Sequence, residues 1–474
     1  MKKEAGHDNQ LKRSMKSRHL FMLSLGGVIG TGLFLNLGYT INQVGAGGSL
    51  IAYLIGGLVL FLVMLCLGEL SVYMPVTGSF QAYATKFIGP ATGFMLGWMY
   101  FIGSATTASV EFTAAGILMK RWFPHTPIWI WCAVFIVILF LLNALTTRGY
   151  AEAEYWFSAI KVLAVALFLI IGIGAVFGFV HMNGRPAPHL SNLSSGHLFP
   201  AGISIIFMTM INVIFSYQGA EVIGIASGES ENPQKDIPKA VRNVVVRILF
   251  FYIASVIVLS ALFPTKSLGV MKSPFVTLFD SVGIPFAADI MNFIILTAVL
   301  SVGNSCLYAS TRLLWSLSKT KMAHPVFGKL TKRKVPLNAL LITTVFSLLS
   351  LLTSFLAPNT VYVLLTSASG ISVTIAWMGI ALSQYQFRKK FIKDGGNVKD
   401  LKFKAPLYPV LPLFCLLVCT ITLIFPIFDP AQRTGFFYGI GIMAVCYLYY
   451  FIRYKRKNVP VSLPSEKTEE TLSD

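Results

Sequence analysis

The chain has 474 residues, of which 55% are hydrophobic and only 12% charged. Soluble chains average about 25% charged residues, so an ordinary soluble domain is excluded. The formal net charge of +19 invites a nucleic-acid reading, which the placement of that charge along the chain removes.

Low-charge stretches of about 20 residues, the length of a bilayer-crossing helix, recur near 20–39, 49–68, 92–118, 128–147, 157–180, 202–227, 244–263, 287–315, 337–356, 361–384, 407–427 and 434–452. They predict an all-α polytopic membrane protein with about 12 transmembrane helices. With the N-terminus inside, most of the 38 Lys and Arg fall on the cytoplasmic side, the positive-inside pattern. The runs Lys332-Arg333-Lys334, Arg388-Lys389-Lys390 and Lys455-Arg456-Lys457 then read as topology signals. The expected location is the cell membrane, with both termini cytoplasmic. The polar start, with Lys12, Arg13, Lys16 and Arg18, runs straight into a span without a signal-peptide cleavage pattern.

The first span contains Gly26-Gly27-Val28-Ile29-Gly30-Thr31-Gly32. Each glycine inside a helix costs about 1 kcal/mol against alanine, and an unpaired backbone group in hydrocarbon costs several kcal/mol. Two readings stand. Gly26 and Gly30 satisfy a close-packing G-x-x-x-G pattern; alternatively the helix is broken, and its freed N–H and C=O groups serve a ligand.

Span 2 ends at Gly68-Glu69-Leu70, where Glu69 reads as a structural carboxylate near the cytoplasmic helix end. Pro75 and Gly78 mark a turn or re-entrant bend. Span 3 carries Thr106, Thr107, Ser109 and Glu111. A carboxylate at mid-membrane costs about 2.5–3.5 kcal/mol on insertion scales, so by default it faces the bundle interior with a partner or a ligand; a structural hydrogen-bonding role is the alternative.

Glu152 and Glu154 belong to a partly amphipathic, cytoplasmic start of span 5. Lys161 lies deeper. It either snorkels to the cytoplasmic face or is a fixed or titrating cation beside the broken helix. Span 6 reads Phe215-Ser216-Tyr217-Gln218-Gly219-Ala220-Glu221, a second interruption five spans after the first. Paired interruptions at corresponding positions are the best sequence pointer to a transporter of inverted repeats.

After span 6, Gly228, Pro233 and Pro238 make a helix stop and restart. Span 8 carries Ser301, Asn304, Ser305, Tyr308 and Arg312, with Arg312 expected near the cytoplasmic end. Span 10 is rich in Thr366, Ser367, Ser369, Gly370, Ser372 and Thr374, which suits close helix contact or a gate lining. Spans 11 and 12 lack intramembrane charge and are expected to be peripheral or dimer-facing. The tail from Asn458 is short, polar and expected to be disordered.

All six cysteines fall in apolar spans without metal-site spacing and read as small core residues. The histidines lie at span ends or in loops, and the chain contains no P-loop. No cofactor, metal or nucleic-acid partner is expected.

These residues resemble the amino-acid permeases of the amino acid–polyamine–cation superfamily. The resemblance rests on the first-span glycine stretch, Gly68-Glu69-Leu70, Pro75-x-x-Gly78-Ser79-Phe80, Phe215-Ser216-Tyr217-x-Gly219-x-Glu221, Gly228-Glu229-x-x-Asn232-Pro233 and Lys404-Ala405-Pro406-Leu407-Tyr408-Pro409. It covers about residues 12 to 455 and is nearest the bacterial basic amino-acid branch, particularly arginine/ornithine permeases. It implies a LeuT-like 5+5 inverted repeat with discontinuous helices 1 and 6, two additional helices and proton-coupled uptake. The expected division is a cytoplasmic segment 1–19, a first repeat 20–180, a second repeat 202–384, extra helices 407–452 and a tail 453–474. Oligomeric state is left open.

Carried over position by position, the resemblance implies that a substrate carboxylate meets the N–H groups of Thr31 and Gly32 in the Val28–Ile29–Gly30 stretch. Its ammonium would meet carbonyls at Val28, Phe215 and Gln218, beside Gly219, and Phe215 would close over it. Glu221 matches a carboxylate implicated in proton coupling, and Lys161 a lysine standing where sodium-coupled relatives hold a cation. Glu111 is the available unpaired acid for a cationic side chain. The chain departs from the family at Lys321-Met322-Ala323-His324-Pro325, where Gly-x-Ala-Pro is common. The reading is a proton-coupled permease for arginine, ornithine or lysine. A neutral amino-acid permease, an exchanger and a membrane nutrient sensor are the alternatives.

Overall fold

The computed structural model describes residues 22, 26–145, 147–183, 186–194, 202, 204–269 and 273–455. The expected N-terminal segment, the tail beyond 455 and most of the first half of span 1 lie outside the described residues.

Among the described residues every regular element is helical. A π-helical turn over Gly32–Asn36 runs into α1 (Leu37–Tyr73). Then follow α2 (Ser79–Phe87), α3 (Pro90–Met119), α4 (Ile128–Leu145) and α5 (Thr147–Val176). A short α6 (Ser191–Ser194) precedes α7 (Ser204–Ser216) and α8 (Val222–Ala226). The chain continues through α9 (Pro233–Leu262), α10 (Pro274–Val282), α11 (Ala287–Lys319) and α12 (Leu337–Ser347). It ends with α13 (Pro358–Lys393), α14 (Val410–Ile424) and α15 (Pro430–Tyr450). Among the described residues seven helical segments are long and apolar enough to cross a membrane, and four shorter apolar helices accompany them.

The stretch from Gly32 to Tyr73 holds two helices joined at a kink, which correspond to the end of the span expected near 20–39 and to the one near 49–68. The direction changes inside α1 at Gly45, where φ is 76° and ψ 177°. Glycine reaches that backbone without the Cβ penalty, so the turn needs no loop. Span 6 is interrupted: α7 stops at Ser216 and α8 begins at Val222. Span 9 finishes as a 3₁₀ turn over Leu348–Ser354.

The centre of the bundle is α3, with 94% of its most apolar window buried. It packs against α11 and α13 and forms one wall of the site. By contrast α15 is only 17% buried over its window, a peripheral place that its glycines make possible. A Cβ at Gly435 or Gly439 would run into Ser367 or Ile371 of α13, so the glycine stripe is what seats α15.

The helix ends and loops that carry Lys319–Lys334 and Arg388–Lys404 are called here the basic face. Two buried ion pairs join separate elements, and a third lies within α5. Arg388 of α13 pairs with Glu69 of α1, which also accepts from the Ala405 N–H at 2.6 Å. Arg312 of α11 lies 3.1 Å from Glu229, which also accepts from the Tyr308 hydroxyl at 2.7 Å. Lys161 lies 3.6 Å from Glu154. Removing one partner of such a pair typically costs about 3–5 kcal/mol, because the other charge is left buried alone.

One expectation changes here. Glu154 is not an interfacial acid: it is buried, two helical turns before Lys161 and on the same face of α5. Arg312 lies two turns before the end of α11, buried and paired with Glu229 of the 3₁₀ turn after α8.

Candidate functional site

The first interruption spans Gly27–Gly30. The Gly30 N–H turns back to the Val28 carbonyl at 3.1 Å, and the Gly30 carbonyl accepts from Leu33 and Phe34, which restarts the helix. In the second interruption Gly219 has φ +108°, a backbone that L side chains rarely adopt.

The two interruptions cross in contact. A Cβ added to Gly219 would lie 2.4 Å from the Gly27 carbonyl oxygen, and one added to Gly32 would lie 2.6 Å from Ser216 Cα. In each contact a glycine, by lacking a Cβ, lets the two backbones approach this closely. The Tyr252 hydroxyl of α9 joins them: it lies 2.5 Å from the Ser216 carbonyl and 3.2 Å from that of Val28. Asn36 adds a brace, donating to the Asn212 carbonyl and to Ser216 Oγ.

Against this crossing sits a closed cavity of about 20 Å³, on the order of one water. Val28, Gly32, Glu111, Phe215, Gln218 and Gly219 all line it. Ile29 is fully buried and Thr31 is turned toward Glu111, so neither stands on the cavity wall. Glu221 and Lys161 are not among the residues that line it.

Glu111 is not unpaired. Its Oε1 accepts from Thr31 Oγ1 at 2.8 Å, and its Oε2 lies 3.4 Å from the Thr31 N–H. The carboxylate of α3 therefore occupies the donors at the restarted helix, whose N-terminal N–H groups and dipole favour an anion.

Glu221 is held by donors alone. The Tyr100 hydroxyl donates at 2.8 Å, the Gly219 N–H lies 3.2 Å from Oε1 and 3.3 Å from Oε2, and Trp377 Nε1 lies 3.5 Å from Oε2. Lys161 is not among them. Its Nζ donates to the Gly26 carbonyl at 2.7 Å and to Ser301 Oγ at 2.8 Å, and its carboxylate partner is Glu154. It is fully buried, and so does not snorkel.

Sequence reasoning passed over Tyr100, Ser104, Trp377 and Tyr252. Tyr100, Ser104, Thr107 and Glu111 all line the cavity at spacings of four, three and four, which is one stripe of an α-helix. Thr107 holds the Gln218 side-chain carbonyl at 2.9 Å. That stripe was a readable signal. Trp377 and Tyr252 carried none, since each is one aromatic among many and only the tertiary fold brings it to the crossing.

Two interrupted helices crossing at mid-bundle, with buried carboxylates at each, define a membrane transporter of the discontinuous-helix class. The chain belongs to the amino acid permease family, whose pattern matches residues 19–460. Amino-acid permease RocC of Bacillus subtilis is 54% identical over 98% of this chain and 99% of its own length. Amino-acid permease RocE of the same organism is 52% identical over 95% of this chain and 96% of its own. Lysine-specific permease LysP of Escherichia coli is 44% identical over 87% of this chain and 86% of its own. The protein is thus a multi-pass membrane transporter of amino acids.

Proposed function

We propose that the protein imports cationic amino acids, arginine, ornithine or lysine, together with a proton. The observation that carries this reading is the Glu111 carboxylate, placed on the cavity wall and held by Thr31. A substrate carboxylate seeking the Thr31 and Gly32 N–H groups must displace Glu111 from Thr31. A neutral amino acid would then leave two carboxylates facing each other. A cationic side chain gives the displaced Glu111 a partner, so one acid supplies both the obstacle and the selectivity. The 44% identity to a lysine-specific permease supports the same substrate class.

The ammonium of the substrate would meet carbonyls at Val28, Phe215 and Gln218, with Phe215 closing over it. The cavity of about 20 Å³ is far below the roughly 300 Å³ and more of ordinary ligand pockets. The described conformation is therefore a contracted one, and the crossing must open to admit substrate.

Glu221 is assigned the proton. Protonation removes the charge from these bonds and makes one oxygen a donor, which the Tyr100 hydroxyl can accept but the Gly219 N–H and Trp377 Nε1 cannot. Proton binding would therefore loosen the second interruption. Lys161 ties the start of the first interruption to α5 and α11, and keeps the emptied site in shape. The positive-inside rule makes the basic face cytoplasmic, and the two interruptions head repeats 20–180 and 202–384. A proton driven inward gains about 2.3 kcal/mol per 100 mV.

The test is uptake of labelled arginine into proteoliposomes, in competition with all common amino acids at matched membrane potential. Strong competition by lysine and ornithine and little by leucine or glutamate is expected. Equal competition by neutral amino acids would move the protein to the neutral class. Saturable binding without uptake would make it a sensor.

A further inference from the structure

A second cavity lies outside the bundle core, on the flank of α3 away from the crossing. It is an open groove of about 970 Å³ between α3, the turn after α11 and α15. Phe94, Trp98 and Ile102 form one wall, and Phe437, Val445 and Tyr449 the other. Phe437, Tyr438 and Val445 are each at least 60% exposed, so nothing among the described residues covers this wall. Gly441 also lines the groove, and a Cβ there would meet nothing within 4 Å.

The end of the groove at the basic face is cationic. Lys321 and Arg453 line it, both exposed, and no Asp or Glu does. Neither cation forms an ion pair among the described residues. Lys321 has φ +61°, a left-handed backbone that favours glycine. The turn is fastened to both walls: Tyr454 donates to the Lys321 carbonyl at 2.9 Å, and Trp98 Nε1 to the Met322 carbonyl at 3.2 Å. A lysine is thus held, against its backbone preference, at the mouth of an apolar slot.

We propose that this groove is a binding site for an anionic glycerophospholipid. An acyl chain lies between α3 and α15, and the phosphate sits between Lys321 and Arg453. Apolar length below and unpaired cations above match the two ends of such a lipid, and basic pockets between membrane helices are the usual sites for anionic headgroups. Inorganic phosphate would satisfy the cations but not the apolar walls. A second copy of the chain would cover the walls, but the same groove on it carries no acid to neutralise the cations.

The full chain, delipidated in detergent, is incubated with phosphatidylglycerol or with phosphatidylcholine of the same acyl chains, and retained lipid is counted by native mass spectrometry. Preferential retention of one phosphatidylglycerol is expected. Lys321→Gln with Arg453→Gln should reduce that preference by about thirtyfold, the electrostatic worth of two surface cations. Gly441→Trp should reduce retention of both lipids by filling the slot. Lys389→Gln with Lys393→Gln, also at the basic face and exposed, should change neither. The proposal is overturned if the Lys321/Arg453 variant keeps the wild-type preference. It is also overturned if acyl-free glycerol phosphate competes as well as the lipid, or if the wild type runs as a dimer that Gly441→Trp dissociates.

Discussion

The two helix interruptions solve one problem differently. Each leaves N–H groups without helical partners inside a membrane protein, and each meets them with a carboxylate. At the second, the acid is local: Glu221 accepts from the Gly219 N–H two residues away. At the first, the acid is remote: Glu111 of α3 reaches Thr31 across eighty residues of sequence. A local acid moves with its own break and is suited to loosening it. A remote acid can be displaced from its break without that break unfolding, and is suited to sharing its place with a ligand. The interruptions also differ in what their glycines face. A Cβ at Gly26 would strike the Ser158 and Glu154 side chains, whereas one at Gly219 would strike the Gly27 backbone.

That second contrast yields the largest expected effect. Gly219→Ala must place a Cβ 2.4 Å from a carbonyl oxygen in a left-handed backbone whose strain alone is worth about 1–3 kcal/mol. Arginine uptake in proteoliposomes should fall at least a hundredfold. Gly26→Ala meets side-chain atoms that can rotate away, and should cost less. Comparable rates for the two variants would erase the distinction between a backbone crossing and ordinary side-chain packing.

The next effect is on coupling. Glu221→Gln resembles the protonated acid permanently. Acceleration of uptake by an imposed inward proton gradient should vanish, while exchange between substrate-loaded sides survives. If the variant still responds to the gradient as the wild type does, the local acid is not the coupling group, and the role passes to Glu111 or to the Lys161–Glu154 pair.

The sequence made both interruptions legible, because glycine density inside an apolar span has few explanations. It also made legible the peripheral place of the last two helices, from their lack of charge. What it hid was pairing. Glu111 with Thr31, Glu229 with Arg312 and Glu69 with Arg388 are separated by 80, 83 and 319 residues, and no local spacing announces such partners. Glu154 and Lys161 were within reach of spacing, two turns apart on one helix, but the acid's neighbourhood of polar residues resembled an interface. The stripe Tyr100, Ser104, Thr107, Glu111 could likewise have been counted, since its period is that of the helix.

The smallest effect tests the remote acid most directly. Glu111→Gln keeps the shape of the side chain and removes its charge. If Glu111 both blocks Thr31 and receives a cationic side chain, arginine loses a charge-assisted partner worth roughly 1.5–3 kcal/mol, or about ten- to a hundredfold in affinity. A neutral analogue of the same length loses no such partner. Relief of the competition at Thr31 is common to both ligands and cancels between them. The ratio of arginine to analogue affinity should therefore fall by the worth of the lost partner, which a purely structural hydrogen bond would not produce. Thr31→Val supplies the control: it removes the hydroxyl that fixes Glu111 while leaving the acid charged, so selectivity for arginine should survive. Equal losses for both ligands in Glu111→Gln, or a Thr31→Val variant that loses selectivity as fully, would make the Thr31–Glu111 contact a brace of the fold, and the two interruptions would then differ in geometry alone.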